Sequence, residues 1–268
     1  LERPIGVIDS GIGGLTVLYE LKRQLPKEEF VYLGDTLRCP YGSKKADEVR
    51  QYTWEIVEYL LTFDIKLLVV ACNTATAIVL EELKQYLSIP VVGVIEPGAR
   101  AAIKSTETEH VGIIGTENTI SSQAYEYALK QINPNIQTVG VACPRFVPLI
   151  ESGRISGPEA KQVVHESLVN IKNDSSIDAL ILGCTHYPII QPVIEDVLGK
   201  RVTVLSSALE TGAEVSASLT FYNMHTTKDE FPLSDPLILT TGSLSVLQRL
   251  KDEIFHFTNS QVKQVSIL

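Results

Sequence analysis

Apolar residues along this chain fall into short unbroken runs that alternate with longer amphipathic stretches. Pro4–Asp9 is apolar through IGVI, as a strand covered on both faces requires. A glycine-rich turn follows at Ser10–Gly14, SGIGG, after which Leu15, Leu18, Leu21, Lys22 and Leu25 give a helix closed by Pro26. Phe30–Leu33 reads as a second strand. A helix from about 45 to 63 carries Val49, Tyr52, Ile56, Leu60 and Phe63 on one stripe. Residues 67–71 form a third strand, ending at Cys72, where a helix running through Leu87 begins. Val91–Ile95 predicts a fourth strand, broken by Glu96-Pro97-Gly98.

From His110 the pattern starts again. Val111–Gly115 and the polar turn Thr116–Thr119 replay residues 6–14. A helix follows with Ala124, Tyr127, Ala128, Gln131 and Ile132 on one side. Gln137–Ala142 is a strand running into Cys143-Pro144, which echoes Cys39-Pro40. Glu151 precedes Ser152-Gly153 in a loop or short helix end. A helix from about 158 to 172 leads to strand Ala179–Gly183 and then Cys184, followed by a helix near 189–198 and a strand at 202–205. Gly6 and Gly112 lie 106 positions apart, Cys39 and Cys143 104, and Cys72 and Cys184 112. Such agreement points to a duplicated β-α-β-α-β unit. It predicts an α/β protein of two pseudosymmetric doubly wound domains, each with a mostly parallel sheet flanked by helices. The tail adds a helix over Glu210–Tyr222, a polar connection over 224–236 and a strand at Leu237–Thr241. A helix capped by Ser243 carries Leu247, Leu250, Ile254 and Phe257, and Gln264–Leu268 suits an edge strand. The expected division is residues 1–96 with 208–268 in the first domain and 97–207 in the second, with a cleft between them.

Composition narrows the function. The 268 residues are 44% hydrophobic, enough for a sizeable core, and the net charge of −9 comes without any Lys/Arg run. A nucleic-acid or anionic-membrane partner is therefore not expected. The four cysteines, at 39, 72, 143 and 184, show neither CxxC nor Cys/His ligand spacing, which disfavours a metal site or a disulfide framework. The opening LERPIGVID enters a strand at once, and neither a signal peptide nor a membrane span is in view. A soluble, cytoplasmic protein is expected.

In open α/β sheets ligands bind beyond the carboxyl ends of the strands. That edge receives Asp9-Ser10, Asp35 to Gly42, Cys72-Asn73-Thr74, Thr116 and Cys184-Thr185-His186. One cysteine at a strand end is most often a buried core residue. Two of them, each just before a helix start in matching halves, suit a pair of thiol acid/base groups whose thiolates the helix N-termini stabilise. Facing each other across a ligand, one removes a proton and the other returns one to the opposite face, which is the geometry of racemisation. His186 is a natural acid/base assistant for Cys184. Asp9 suits either a partner for the first thiol or a cap of the SGIGG turn. Glu151 reads more readily as a solvated loop charge, Cys39 and Cys143 as structural, and Tyr41-Gly42 as either a substrate clamp or an ordinary turn. A rival signal is Gly11-x-Gly13-Gly14 with Asp35, which imitates a dinucleotide fingerprint. However, Thr16 takes its third glycine position and Asp9 would repel a pyrophosphate. P-loop and nucleophile-elbow motifs are absent.

Taken in order, IGVIDSGIGGLTV, GDTLRCPYGS, ACNTATA, VVGVIEPGA, IGTENT, ESG and LILGCTHYP resemble the glutamate racemases of the cofactor-independent aspartate/glutamate racemase family, from residue 5 to about 215. The resemblance implies two α/β domains closing over glutamate, no cofactor, and D-glutamate supplied for peptidoglycan. By it, Cys72 and Cys184 match the catalytic thiols, Asp9 the helper of the first, and Glu151 and His186 the helpers of the second. Asp9, Ser10, Tyr41, Gly42, Asn73, Thr74, Thr116, Thr119, Thr185 and His186 match substrate-contacting positions. The thiol matching Cys184 takes the proton from L-glutamate, the one matching Cys72 takes it from D-glutamate, and a homodimer is expected by analogy. Leu209 and Gly212 depart from the family pattern at positions that bear on packing. A racemase of aspartate or a hydantoin, and an amino-acid-binding protein without catalysis, are the other classes open at this point.

Overall fold

The computed structural model describes residues 2–228, 230, 232, 235–244, 247, 248, 251, 255, 257 and 259–267. Two parallel sheets flanked by helices account for most of them. The first run of elements is β1 (Ile5–Asp9), α1 (Leu15–Gln24), β2 (Phe30–Gly34), α2 (Ala46–Leu61), β3 (Leu67–Val70), α3 (Asn73–Tyr86), β4 (Val91–Val92) and α4 (Ile95–Ser105). The second begins with β5 (His110–Gly115), α5 (Glu117–Ser121), α6 (Ala124–Ile132), β6 (Gln137–Ala142) and α7 (Phe146–Glu151). It continues through α8 (Gly157–Ser167), α9 (Val169–Asn173), β7 (Ala179–Gly183), α10 (Gln191–Leu198) and β8 (Thr203–Ser206). The chain then adds α11 (Ala208–Phe221), β9 (Leu237–Thr240) and β10 (Val262–Gln264).

Strand order is β10-β9-β2-β1-β3-β4 in one sheet and β6-β5-β7-β8 in the other. The run β2-β1-β3-β4 repeats as β6-β5-β7-β8, so the duplicated unit in the sequence is a duplicated sheet in space. The tail strand β9 pairs with β2, aligning Gly34 with Thr240, and β10 forms the outer edge. Each central strand is buried on both faces because it has helices above and below. In β3, Leu67 and Val69 pack into one apolar cluster while Leu68 and Val70 pack into the opposite one. In β7, Leu180 and Leu182 face one cluster and Ala179 and Ile181 the other.

Several elements differ from the sequence expectation. Only Val91 and Val92 of the fourth strand are extended, and α4 begins at Ile95, running through Glu96-Pro97-Gly98. Pro97 lies in the first helical turn, where backbone N–H groups have no intrahelical partner to lose, so it starts this helix rather than breaking it. The helix expected over 158–172 is broken at Leu168 into α8 and α9, and that near 189–198 starts at Gln191 after a tight turn over Tyr187–Ile190. On α6 the buried residues are Tyr125 and Leu129, whereas Tyr127 is 69% exposed, so the core-facing side is not the expected stripe. Of the last predicted helix, residues 244, 247, 248 and 251 are helical; Leu250 and Ile254 lie outside the described residues. No described helix is long and apolar enough to cross a membrane.

Candidate active site

The register of the sheets delivers the chemistry. Ile8 pairs with Val70 and Gly115 with Gly183, so the segments carrying Asp9 and Cys72, and those carrying Thr116 and Cys184, leave their sheets side by side. Between them is a tight gap lined by Ser10, Tyr41, Gly42, Cys72, Asn73, Thr74, Thr116, Cys184, Thr185 and His186. These sequence-matched positions therefore meet around one small, nearly filled cavity.

Asp9, Glu151 and Thr119 are not on that wall but one hydrogen bond behind it. Asp9 accepts the Thr185 hydroxyl at 3.1 Å and the Gly11 N–H at 3.0 Å. Glu151 bonds His186 Nε2 at 3.2 Å. Thr119 Oγ1 lies 3.0 Å from Thr116 Oγ1 and 3.3 Å from Thr74 Oγ1. Asp9 thus reaches across to the segment of the second thiol while its charge also acts on Cys72, the thiol the sequence paired it with. Tyr41 contributes its ring to the wall, but its hydroxyl donates to Asp35 at 2.5 Å and points its polarity elsewhere.

The two thiols have unequal surroundings. Cys72 caps α3, its Sγ accepting the Ala75 N–H at 3.4 Å with Ser10 Oγ at 3.5 Å. Burial, with the Asp9 charge adding to it, pushes the Cys72 thiol up to about 12 against the pull of those hydrogen bonds. Cys184 instead has His186 Nδ1 at 3.9 Å. Burial works against a charged imidazole at position 186, but hydrogen bonds to Cys184 and Glu151 and the charges of Cys184 and Asp9 outweigh it and push His186 up to about 10. Glu151 is correspondingly held below the usual carboxylate range: burial opposes this, and the His186 contact overcomes it. Asp9 is raised by complete burial, only partly offset by the His186 charge and the backbone donors.

Cys39, read from sequence as structural, donates to Glu151 at 3.2 Å. Together Cys39, Glu151 and His186 bring three possible metal-ligating atoms within 4.8 Å of one another. Hydrogen bonds to Glu151 from Cys39 and His186 link the three into a chain. Cys143 is buried among apolar side chains, and burial pushes it up to about 12.

The SGIGG turn is packed by its own protein. A Cβ at Gly13 would collide with Thr185 Oγ1 and lie 2.5 Å from His186 Nδ1, and one at Gly14 would lie 2.5 Å from Asp9 Cβ. Gly13 lets the two halves touch and Gly14 lets the turn lie against Asp9 and Tyr32, and that accounts for the glycine pattern that imitates a dinucleotide loop. Gly42 plays the same part opposite Thr116.

A family model for Asp/Glu/hydantoin racemases matches residues 5–211 of this chain. The chain belongs to that family. A glutamate racemase of Oceanobacillus iheyensis is 54% identical over 270 aligned positions, covering 100% of this chain and 98% of that protein. The crystal structure of a glutamate racemase isoform from Bacillus anthracis superposes with a TM-score of 0.93 at 42% identity, over 98% of this chain and 97% of that one. A Francisella tularensis glutamate racemase in complex with D-glutamate gives a TM-score of 0.90 at 33% identity, over 100% and 99% of the two chains. This member of the Asp/Glu/hydantoin racemases is thus an isomerase with full-length glutamate racemases among its relatives.

Sequence reasoning missed several residues that shape this family member's site. Thr16 Oγ1 lies 2.9 Å from the Gly13 carbonyl and 3.1 Å from that of Thr185, tying the glycine turn to the second thiol's segment. Asn118 donates to the carbonyls of Tyr41 at 3.1 Å and Lys44 at 2.7 Å. Tyr125 donates to Asn73 Oδ1 at 2.6 Å. Thr16 and Asn118 lie within quoted motifs but their partners are far along the chain, and Tyr125 lies outside every motif, so only the assembled fold brings these contacts in.

Proposed function

We propose that this protein interconverts L- and D-glutamate by a cofactor-independent, two-thiol mechanism. The observation that carries this reading is that Cys72 and Cys184, from opposite sheets, line one small cavity together with an Asn73 side chain whose buried Nδ2 has no partner among the described residues. A buried, unpaired amide N–H is costly unless a ligand accepts from it, and a carboxylate is the natural acceptor. The full-length glutamate racemase relatives select glutamate as the substrate.

The family resemblance gives each thiol its direction, and the unequal surroundings are consistent with it. With L-glutamate bound, Cys184 acts as the base: its thiolate, beside the His186 cation, forms an S–H bond as the Cα–H bond breaks. The electron pair remains on Cα, delocalised into the α-carboxylate. Cys72, kept protonated by burial, then donates its proton to the opposite face and is left as a thiolate, and the D-glutamate direction reverses these roles. An amino acid's α-proton is far less acidic than a thiol. Fixed donors on the carboxylates, from Ser10, Asn73, Thr74, Thr116 and Thr185, must therefore stabilise the carbanion in a site closed to water. Asp9 and Glu151 act from behind the wall, by orienting Thr185 and by holding the proton on His186.

In this reading residues 1–96 with 208–268 form one closing unit and 97–207 the other. This is supported by the division of strands between the two sheets. The family resemblance further supports a cytoplasmic homodimer supplying D-glutamate for peptidoglycan. Replacing Cys72→Ala or Cys184→Ala is expected to reduce racemisation in both directions below detection while calorimetry still registers glutamate binding. Racemisation retained by either variant would refute the two-thiol assignment.

A further inference from the structure

Tyr125 lies on α6, in the second run of elements, yet its only 1% exposed side chain ends on the first residue of α3. The ring passes through a slot made by two glycines. A Cβ at Gly98 would come within 3.1 Å of the ring and of its hydroxyl, and one at Gly183 within 3.1 Å of its far edge. At the end of the slot the hydroxyl meets Asn73 Oδ1 at 2.6 Å. The buried Ser207 hydroxyl bonds the same phenol and pulls its pKa down, as a donor to the phenol oxygen does, while burial outweighs it and keeps the phenol protonated, so the tyrosine oxygen accepts from Ser207 and its own proton goes to Asn73.

That direction decides which way the Asn73 amide faces. A carbonyl oxygen and an amide nitrogen are nearly equal in size, and only the hydrogen-bond partner distinguishes the two orientations. With Oδ1 held by Tyr125, Nδ2 is the atom left without a partner, on a residue that lines the cavity. Turned the other way, the same side chain would present a carbonyl to an anionic substrate and repel it.

We propose that Tyr125 is a positioning residue for substrate recognition. It locks the Asn73 amide so that Nδ2 donates to a carboxylate of the bound amino acid. The inference rests on the glutamate site described under Proposed function. It adds a residue outside every strand-end motif, and it gives Gly98 and Gly183 a task, which is to leave room for the ring.

The test is a double-mutant cycle of Tyr125→Phe and Asn73→Ala, read as kcat/KM for both glutamate enantiomers and as glutamate Kd, with thermal unfolding followed separately. Phenylalanine keeps the ring in its slot and removes only the hydroxyl. Tyr125→Phe alone is expected to lower kcat/KM roughly tenfold in both directions, the scale of one buried hydrogen bond at a charged ligand. In the Asn73→Ala background the same change is expected to have no further effect, because the group it positions is gone. A full penalty persisting in that background would overturn the proposal, as would a lowered unfolding temperature with unchanged kcat/KM and Kd. If the unaltered protein did not turn over glutamate, the catalytic reading would fail, and the same cycle read on Kd would still decide the role of Tyr125.

Discussion

His186 joins Cys184 on one side to Glu151 on the other, and its proton is what the surrounding acids hold in place. Its ordinary pKa is 6.5, and in the folded protein it is pushed up to about 10. Because the folded value is the higher one, the stabilisation from this proton is complete below pH 6.5 and is lost as the pH rises towards 10. Urea midpoints are therefore expected to fall across that window more steeply for the unaltered protein than for His186→Gln. Parallel curves would show that the proton is not held this way. Glu151 has the opposite sign: its folded pKa is lowered, so its contribution is present above its ordinary range and disappears on acidification. The thiols at 72 and 184 were legible at this scale because an apolar run ending in cysteine is a local pattern. The partner of Asp9 was not legible. A strand-end carboxylate one position from Ser10 gives no sign that its hydrogen bond goes to Thr185, 176 positions away.

Between elements, the decisive contact is the one the SGIGG turn makes with the Cys184-Thr185-His186 segment. Gly13→Ala would drive a methyl group into Thr185 and His186, and its effect on catalysis is expected to exceed its effect on folding. The measurement is kcat/KM alongside far-UV circular dichroism, with a loss of tenfold or more at an unchanged spectrum. Near-normal activity would mean the turn can retreat without moving the second thiol. Sequence patterning located β1, β3, β5 and β7 well, because strands buried on both faces are simply apolar. It misread α6, since Ala124, Tyr127, Ala128, Gln131 and Ile132 do follow helical spacing but line an open surface groove. The fully buried positions are Tyr125 and Leu129, with Ala124 and Ala128 partly buried against the same cluster, so the inward face overlaps only one edge of the longer stripe. The same lesson applies to Gly212, where a Cβ would press on the Gln24 side chain whose amide donates to the Leu209 carbonyl at 2.8 Å. Both departures from the family pattern belong to this one junction between α1 and α11.

Across the whole molecule, the duplicated sheet explains the matching thiols, and the unduplicated parts explain how the first sheet is completed. The tail brings β9 alongside β2 and β10 alongside β9, with Thr241 Oγ1 donating to Asp35 at 2.7 Å. A buried ion pair, Lys66 with Glu28 at 2.6 Å, joins the entry to β3 with the loop before β2, and Glu28 also accepts the Thr226 N–H at 2.8 Å from beyond α11. Removing one member of a buried pair strands the other in a low-dielectric interior. Glu28→Ala is expected to cost about 3 kcal/mol in denaturant unfolding while leaving KM for glutamate unchanged. A loss well under 1 kcal/mol would mean that the Lys66 ammonium does not depend on Glu28. Hydrogen bonds between the halves, from Thr185 to Asp9, from Asn118 to Tyr41 and between the Thr74 and Thr116 hydroxyls, hold the site closed around its cavity. The central claim is that two different thiols serve the two faces of one carbon. It is tested most directly by incubating L-glutamate with the protein in deuterated water and following α-carbon labelling in both enantiomers from the first turnovers. The expected result is D-glutamate carrying solvent deuterium while the remaining L-glutamate keeps its original hydrogen, with the mirror result from D-glutamate. Deuterium appearing equally early in substrate and product, or D-glutamate that retains the original hydrogen, would contradict it.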